Sequence, residues 1–310
     1  MAFSRKRCLI VLCMAFLAIG YQENGIAAEK GLSEKPFDLT VGLSPRSFVE
    51  VDTEDIRVIV KTLMKVLLGK VWAGSHNILI YQEQSSMERD ILARKVEIAM
   101  FLPDEFLGVK NRVPIEPVAI ATRYKGIHDE IVILVRKESG IRSSVDLMNK
   151  RINIPRGLQA PLFQMWMETL FMKEGVSESR DFFAALKAVN TPSQAILPVF
   201  FKQADACIVL RGAFDLVGEL NPQITRELEI LYSSSGVPAG IIGLRRDLSV
   251  EQRDSMKKIL WSVHEEPEGK QIFTLFRISK LLPFRPEYLR SLEALQVEHQ
   301  NLKLKLARGK

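Results

Sequence analysis

Short apolar runs rich in β-branched residues alternate with segments of helical periodicity along most of this 310-residue chain. The alternation forms two series, at about residues 36–125 and 128–230, and one further strand and three helices follow. Strands that alternate with helices indicate an α/β fold with a largely parallel sheet. Because the last helices need a sheet to cover, the pattern predicts two lobes, with the chain crossing to the second lobe and returning to the first.

Local signals set the ends of several helices. Apolar residues at helical spacing predict a helix over 55–68, which Gly69 ends. Thr191 and Ser249 are expected to cap the helices that follow them, and Ser85 or Ser86 the helix that runs through Arg94. The segment after residue 295 is basic and weakly patterned, so it is expected to form a tail that frays at its end.

The first 28 residues have the order of a secretory signal peptide. Arg5, Lys6 and Arg7 precede an apolar run over 8–20, and Ile26-Ala27-Ala28 offers small residues for cleavage. The apolar run is shorter than the roughly 20 residues that span a bilayer. No cysteine lies at the cleavage point, so we predict an exported protein without a lipid anchor; the alternative is a membrane anchor that is retained.

Charge and cysteine content narrow the class of protein. Removal of residues 1–28 lowers the formal charge from +6 to +4 and leaves Cys207 as the single cysteine. The positive charges form no concentrated stripe, which argues against a nucleic-acid partner. Cys207 lies in an apolar strand-like run, so we expect a buried small side chain and no disulfide.

The residues of common catalytic and metal sites are scattered. The four histidines are isolated in sequence and lack the spacing of metal ligands: His76, His128, His264 and His299. The chain contains no nucleophile elbow, no phosphate-binding P-loop and no dinucleotide fingerprint. We therefore predict a protein that is not an enzyme and that uses neither a metal nor a cofactor.

Polar or glycine-containing loops recur between a strand and the start of a helix. In parallel sheets, ligands lie beyond the carboxyl ends of the strands, where helix N-termini favour negative charge. Arginine side chains next to such loops suit carboxylate or phosphate groups, although each could equally lie on the surface. We predict a site for a small anion formed by Ser44, Arg46, Tyr81, Tyr124, Arg156, Gln159, Thr191, Ser193 and Arg211.

Four segments, taken in order, carry a resemblance to a known family. They are Asp38–Pro45, Lys95–Met100, Val132–Leu147, and Ala204-Asp205-Ala206 together with Ser234–Pro238. Over about residues 36–290 the set resembles the periplasmic solute-binding proteins of the phosphate/phosphite/phosphonate ABC transporter family, which have the type II periplasmic-binding-protein fold. The resemblance adds Ser234 to the expected ligand-binding residues.

The resemblance implies an architecture and a role. Lobe 1 is expected to comprise 29–127 plus 231–295 and lobe 2 to comprise 128–230, with 296–310 as the basic tail. Each lobe would contain a mixed, mostly parallel sheet flanked by helices, and a two-strand hinge would join them. A monomer would capture an anionic ligand between the lobes in the periplasm and deliver it to an ABC permease. The alternatives are a periplasmic partner of a membrane sensor kinase or receptor, and an enzyme of the same fold.

One departure bears on the ligand. Phosphonate binders of the family typically have Ser-Thr-Ser-Gly at the first helix of the second lobe, whereas this chain has Arg156-Gly157-Leu158-Gln159-Ala160-Pro161 there. The hydroxyl groups are replaced by a guanidinium, an amide and apolar groups. The departure argues against phosphonate and leaves an oxyanion, a carboxylate or a larger organic anion as candidates.

Overall fold

A computed structural model of the protein describes residues 38–44, 46, 54–72, 74–123, 126–156, 160–175 and 185–308. The predicted signal peptide at 1–28 lies outside the described residues, and so do Tyr124 and Gln159.

Thirteen strands occur in the described residues. They are β1 (Leu39–Leu43), β2 (His76–Ile80), β3 (Ile98–Phe101), β4 (Ile115–Thr122), β5 (His128–Asp129), β6 (Ile131–Arg136), β7 (Arg151–Pro155), β8 (Ala185–Val189), β9 (Ala206–Leu210), β10 (Leu228–Ser233), β11 (Val237–Pro238), β12 (Gly240–Arg245) and β13 (Lys280–Pro283).

Ten α-helices lie between and after these strands, within the same described ranges. They are α1 (Glu54–Val71), α2 (Gln84–Leu92), α3 (Pro103–Val109), α4 (Ala160–Lys173), α5 (Pro192–Phe200), α6 (Arg211–Leu220), α7 (Pro222–Glu227), α8 (Val250–Ser262), α9 (Pro267–Leu275) and α10 (Arg290–Arg308). A short 3₁₀ helix over Pro286–Leu289 leads directly into α10.

The strands form two large sheets. The first has six strands in the order β13-β4-β12-β3-β1-β2, and β12 and β13 run against the other four. The second has five strands in the order β10-β6-β9-β7-β8, and β6 runs against the other four. Most strands of each sheet therefore point the same way, as the alternation of strands and helices predicts.

Helices cover both faces of each sheet. In β6, Ile131, Ile133 and Val135 pack on one face, whereas Val132 and Leu134 pack on the other. This division explains the uninterrupted apolar run in the sequence, since a strand covered on both faces has no polar side. The first sheet is covered by α1, α8 and α9 on one face and by α2 and α3 on the other.

Two crossings link the sheets and pair with each other. The chain passes from the first sheet to the second through β5 and returns through β11, and these two-residue strands form an antiparallel ladder. The hydroxyl oxygen of Ser234 accepts the N–H groups of Ile131, at 2.9 Å, and of Gly236, at 3.2 Å. Ser234 thus fixes the backbone where the chain returns. The predicted two-lobed α/β architecture with a two-strand connection is confirmed.

One local expectation needs correction. Helix α2 begins at Gln84 with Glu83 as its N-cap and without a side-chain cap, so neither Ser85 nor Ser86 caps it. The basic segment after residue 295 is helical through Arg308 as part of α10, which packs against α4, and the last two residues lie outside the described residues. The described part of the chain contains no helix with both the length and the apolar composition needed to cross a bilayer.

Candidate functional site at the carboxyl ends of the strands

The loop after β1 carries the first predicted arginine, Arg46. Its Nη1 atom lies 2.5 Å from Asp104 Oδ2 and 3.9 Å from Glu105 Oε1. Both carboxylates belong to the first turn of α3, a seven-residue helix too short to show a helical period in the sequence. The charge of Arg46 is therefore compensated within the first sheet's own loops, which leaves it less able to bind an external anion.

Buried groups hold this loop in place. Ser44 is buried and donates its backbone N–H to the carbonyl oxygen of Met100 at 3.1 Å. Glu105 is also buried, and its Oε2 atom accepts the N–H of Leu102 at 2.9 Å. Burial raises the pKa of Glu105, against the opposing effects of Ser44, the Leu102 N–H and Arg46. Ser44 thus supports the base of the loop and does not form an open ligand surface.

Tyr81 follows β2 and belongs to the core. Its ring packs in a cluster with Met87 and Ile91, and its hydroxyl donates to Asp90 Oδ2 at 3.0 Å. Burial, followed by the neighbouring Asp90 carboxylate, raises the pKa of Tyr81 well above its usual value. The residue predicted to line a pocket therefore fixes α2 against the sheet.

The start of α6 carries the predicted Arg211, whose Nη1 lies 3.2 Å from Glu130 Oε2. The next N–H of the helix, at Gly212, donates to Asp129 Oδ1 at 3.0 Å. An anion from the protein itself thus occupies the helix N-terminus, where an external anion was expected. Burial raises the pKa of Asp129, although the Gly212 N–H and Arg123 oppose this effect.

The cavity beside this helix start has a volume of about 280 Å³. Its described lining contains the carboxylates of Asp129, Glu130, Asp215 and Glu219 and the guanidinium groups of Arg123 and Arg211. With more carboxylates than arginines, the cavity at the crossings is a poor site for an anion.

Thr191 acts as the cap that the sequence predicts. Its hydroxyl oxygen accepts the Gln194 N–H at 3.2 Å, and Gln194 Oε1 accepts the Asn190 N–H at 3.0 Å. This reciprocal pair fixes the turn between β8 and α5. Ser193 lies in the first turn of the same helix, beside the loop that follows β7.

A broad depression with a volume of about 640 Å³ lies at the ends of β7 and β8. Its polar lining includes Arg156, Lys187, Asn190, Ser193 and Gln194, and none of the described residues that line it carries a carboxylate. The N–H of Arg156 donates to the carbonyl oxygen of Val189 at 2.8 Å, which fixes the backbone where the side chain emerges. Because its described lining has two cationic side chains and no carboxylate, this depression suits an anion better than the cavity beside α6 does. The two other predicted arginines, Arg46 and Arg211, do not line it.

A family model for the phosphonate ABC transporter periplasmic substrate-binding protein matches residues 51–289 of the chain. This match covers more than half of the 310 residues. The chain belongs to this family. The resemblance drawn from four sequence segments is confirmed.

Solved structures of the family's fold come from several bacteria. A binding-protein component of an ABC phosphonate transporter from Pseudomonas aeruginosa has a TM-score of 0.59 at 15% identity, covering 87% of this chain and 89% of that chain. XAC2383 from Xanthomonas citri, bound to ATP, has a TM-score of 0.60 at 14% identity, covering 86% and 98%. PhnD1 from Prochlorococcus marinus, in complex with methylphosphonate, has a TM-score of 0.57 at 15% identity, covering 84% and 97%. At these identities the likeness shows the fold alone.

A search among curated protein sequences finds no match.

In this member of the family, the cysteine and the histidines of the described residues do not line the depression that contains Arg156. Cys207 is fully buried in β9, and burial raises the pKa of its thiol, as expected for a packing residue. His299 pairs with Glu168, and His128 Nε2 lies 2.7 Å from the carbonyl oxygen of Tyr288. Among the described residues, no group of three or more His, Cys, Asp or Glu side chains could hold a metal ion.

Proposed function

We propose that this family member is an exported solute-binding protein that captures a small anion and delivers it to an ABC permease. The two sheets would be the two lobes, and the anion would bind at the depression that contains Arg156 and Lys187. The observation that carries the assignment is the contrast among the predicted arginines. Arg46 and Arg211 face carboxylates of the protein, whereas Arg156 lies in a depression whose described lining has none.

The chemistry of the depression supports an oxyanion or a carboxylate as ligand. Arg156 provides a rigid, planar set of N–H donors, and Lys187 provides an ammonium group on a flexible side chain. The Ser193 hydroxyl adds a neutral donor. This donor set lacks the hydroxyl-rich loop expected of a phosphonate binder. The ligand would therefore be recognised mainly by charge, with the apolar Leu197 side chain available to an organic substituent.

The first experiment is a thermal-shift screen of residues 29–310 against phosphate, phosphite, methylphosphonate, alkanesulfonates and small carboxylates. A ligand at 100 times its Kd stabilises the folded protein by about 2.7 kcal/mol. We expect at least one anion to raise the Tm and uncharged solutes of similar size to leave it unchanged. A shift with neutral solutes alone would contradict the proposal.

The second experiment locates the site. Arg156→Gln should weaken binding of the anion identified in the screen at least ~10-fold, or about 1.4 kcal/mol, by isothermal titration calorimetry. Arg226→Gln is the matched control, since Arg226 is exposed on α7, a helix that packs on the second sheet. Equal affinities of the two variants would show that Arg156 lies outside the site. An anion that raises the Tm in the screen would then bind at another place in the protein.

Transport and sensing differ in the membrane partner. Reconstitution of the loaded protein with its cognate permease in liposomes should produce ligand uptake that depends on ATP. If the loaded protein produces no uptake and instead stimulates a membrane histidine kinase, the sensing alternative replaces the transport assignment.

A further inference from the structure

Leu289 and Leu292 lie one helical turn apart and belong to different hydrophobic cores. Leu289 packs with Phe106 and Ile241 against the first sheet, and Leu292 packs with Trp166 among residues of the second. Both leucines are at most 2% exposed. Because three residues of helix advance the chain by about 4.5 Å, the backbone passes from one core to the other within a single turn. This is a further connection between the sheets, in addition to β5 and β11.

The start of α10 is held from the side of the first sheet. Lys110, which directly follows α3, places its Nζ atom 2.6 Å from Glu293 Oε1. Leu107 of α3 packs against the core that contains Leu292. Helix α3 therefore contacts both the first sheet and the helix that leaves it.

The same turn is hydrogen-bonded to the crossing strands. Ser291 Oγ donates to the carbonyl oxygen of Gly236 at 2.9 Å, just before β11. His128 Nε2, in β5, lies 2.7 Å from the carbonyl oxygen of Tyr288. A movement at either crossing strand would therefore act on the beginning of α10.

Ion pairs along α4 hold the rest of the helix to the second sheet. Lys173 Nζ lies 2.7 Å from Glu298 Oε1. Glu168 Oε2 lies 2.9 Å from His299 Nε2 and 3.3 Å from Lys303 Nζ. Burial acts to raise the pKa of Glu168, but His299, Gln164 and Lys303 together hold it below its usual value, so this carboxylate is ionised at neutral pH.

We propose that residues 289–303, here called the strap, limit the separation of the two sheets. Opening about β5 and β11 would move α3 relative to α4, and the strap is attached to both helices. To open, the protein must break the contacts at one end of the strap. The strap thereby raises the population of the closed arrangement before any ligand binds, and the apparent affinity for a ligand rises with that population. The proposal concerns the ligand-free protein, so its test is independent of the function proposed above.

The test measures the radius of gyration of ligand-free residues 29–310 by small-angle X-ray scattering. The released variant combines Glu168→Gln, Glu293→Gln, Glu298→Gln and Leu295→Ser, which removes the ion pairs and one partly buried contact along the strap. The control combines Val297→Ser and Leu304→Ser, which lie on the outward face of the same helix and are 57% and 56% exposed. We expect a larger radius of gyration in the released variant than in the wild type and the control, with the same helix content by circular dichroism.

A second perturbation works in the opposite direction. Lys110→Cys with Glu293→Cys, joined by a short bismaleimide, fixes the strap to α3, and the buried Cys207 is shielded from the reagent. Cross-linking should give a radius of gyration no larger than that of the wild type. When it is combined with the changes at residues 168, 295 and 298, the increase should persist, because those changes release the other end of the strap from α4. An unchanged radius in a folded released variant overturns the proposal. If the released variant does not fold, an increase in radius after cross-linking overturns it instead.

Discussion

Glu97, which is buried, and Arg245, which is partly buried, form an ion pair at the ends of β3 and β12, with Arg245 Nη1 2.7 Å from Glu97 Oε1. Their side chains are 8% and 14% exposed. The other carboxylate oxygen of Glu97 accepts the N–H of Thr40 at 2.7 Å, which ties β1 into the same contact. Burial raises the pKa of Glu97, whereas the Thr40 N–H and Arg245 act to lower it.

Removal of one partner of this pair should destabilise the protein strongly. Arg245→Met leaves the Glu97 carboxylate buried without its cation, and such losses cost about 3–5 kcal/mol. The free energy of unfolding in urea measures the effect. Arg94→Met is the control, because Arg94 is 73% exposed and pairs with Asp247 at the surface, so its loss should cost less than about 1 kcal/mol. The double variant Glu97→Gln/Arg245→Met should be more stable than Arg245→Met alone, and a double variant that is less stable would contradict the burial argument.

Asp205 should make the stability depend on pH in the acid range. The Arg151 guanidinium, with the Arg151 N–H, holds the pKa of Asp205 below its usual value against the effect of burial. The unfolded chain therefore binds the proton more tightly, and folding stability falls as the pH decreases. The contribution is complete above the unfolded pKa of about 3.9 and is lost as the pH falls through the lower folded value.

Unfolding free energies of the wild type and Asp205→Asn between pH 2 and 7 measure this contribution. We expect the wild type to be the more stable protein at neutral pH and the difference to shrink below about pH 4. Arg151→Gln removes the cation and should move the acid limb of the profile toward that of Asp205→Asn. If the difference in unfolding free energy between the two proteins stays constant down to pH 2, the charge of Asp205 does not contribute to stability.

The fold could be predicted because its signals are local. Neighbouring residues alone identify β6, whose apolar run is covered on both faces, and the start of α8, where Ser249 and Gln252 cap each other's backbone. Helix α3 was missed because its seven residues are too few for a clear period. The segment after residue 295 has little apolar pattern of its own, and its helix depends on contacts with α4, which lies more than a hundred residues earlier in the chain.

The site could be predicted less well, since pairing partners are distant in sequence. Arg46 and its partner Asp104 are 58 residues apart, and Arg211 and Glu130 are 81 residues apart. The sequence shows that an arginine lies beside a helix start, but it does not show whether a carboxylate from another loop reaches the guanidinium. The acidic first turn of α3 was the available signal for Arg46, because Pro103 with Asp104 and Glu105 is a typical helix start.

The three arginines should therefore differ in their effects on anion binding. Arg46→Gln and Arg211→Gln remove cations that are already paired, so each should change the affinity less than about 3-fold, which is under 0.7 kcal/mol. Arg156→Gln should weaken binding at least ~10-fold. Titration calorimetry with the anion identified by thermal shift compares the three variants in one buffer. A larger loss from Arg46→Gln than from Arg156→Gln would place the anion at the first sheet instead.

Gly236 should resist substitution more than another glycine with similar backbone geometry. It has a φ of +87°, and a Cβ built there would lie 2.9 Å from the Cβ of His128 in β5. Gly140 has a φ of +76° with nothing within 4 Å of such an atom. Both alanine variants bear the cost of a left-handed residue, about 1–2 kcal/mol, and Gly236→Ala bears the steric conflict as well. Urea unfolding should show the larger loss for Gly236→Ala, and equal losses would mean that the crossing strands adjust freely.

Cys207 should report the opening of the second sheet. It is the single cysteine of residues 29–310, it lies fully buried in the central strand β9, and burial raises the pKa of its thiol. Because the thiolate is the reactive form, a thiol reagent should modify the native protein only when β9 becomes exposed. In the regime where closing is faster than labelling, the labelling rate gives the free energy of that opening. We expect this free energy to equal the global free energy of unfolding from urea titration, because β9 lies between β6 and β7 with covered faces on both sides.

Arg245→Met should raise the labelling rate in proportion to its loss of global stability if the two sheets unfold together. A labelling rate that does not respond to Arg245→Met would show that the second sheet opens independently of the first.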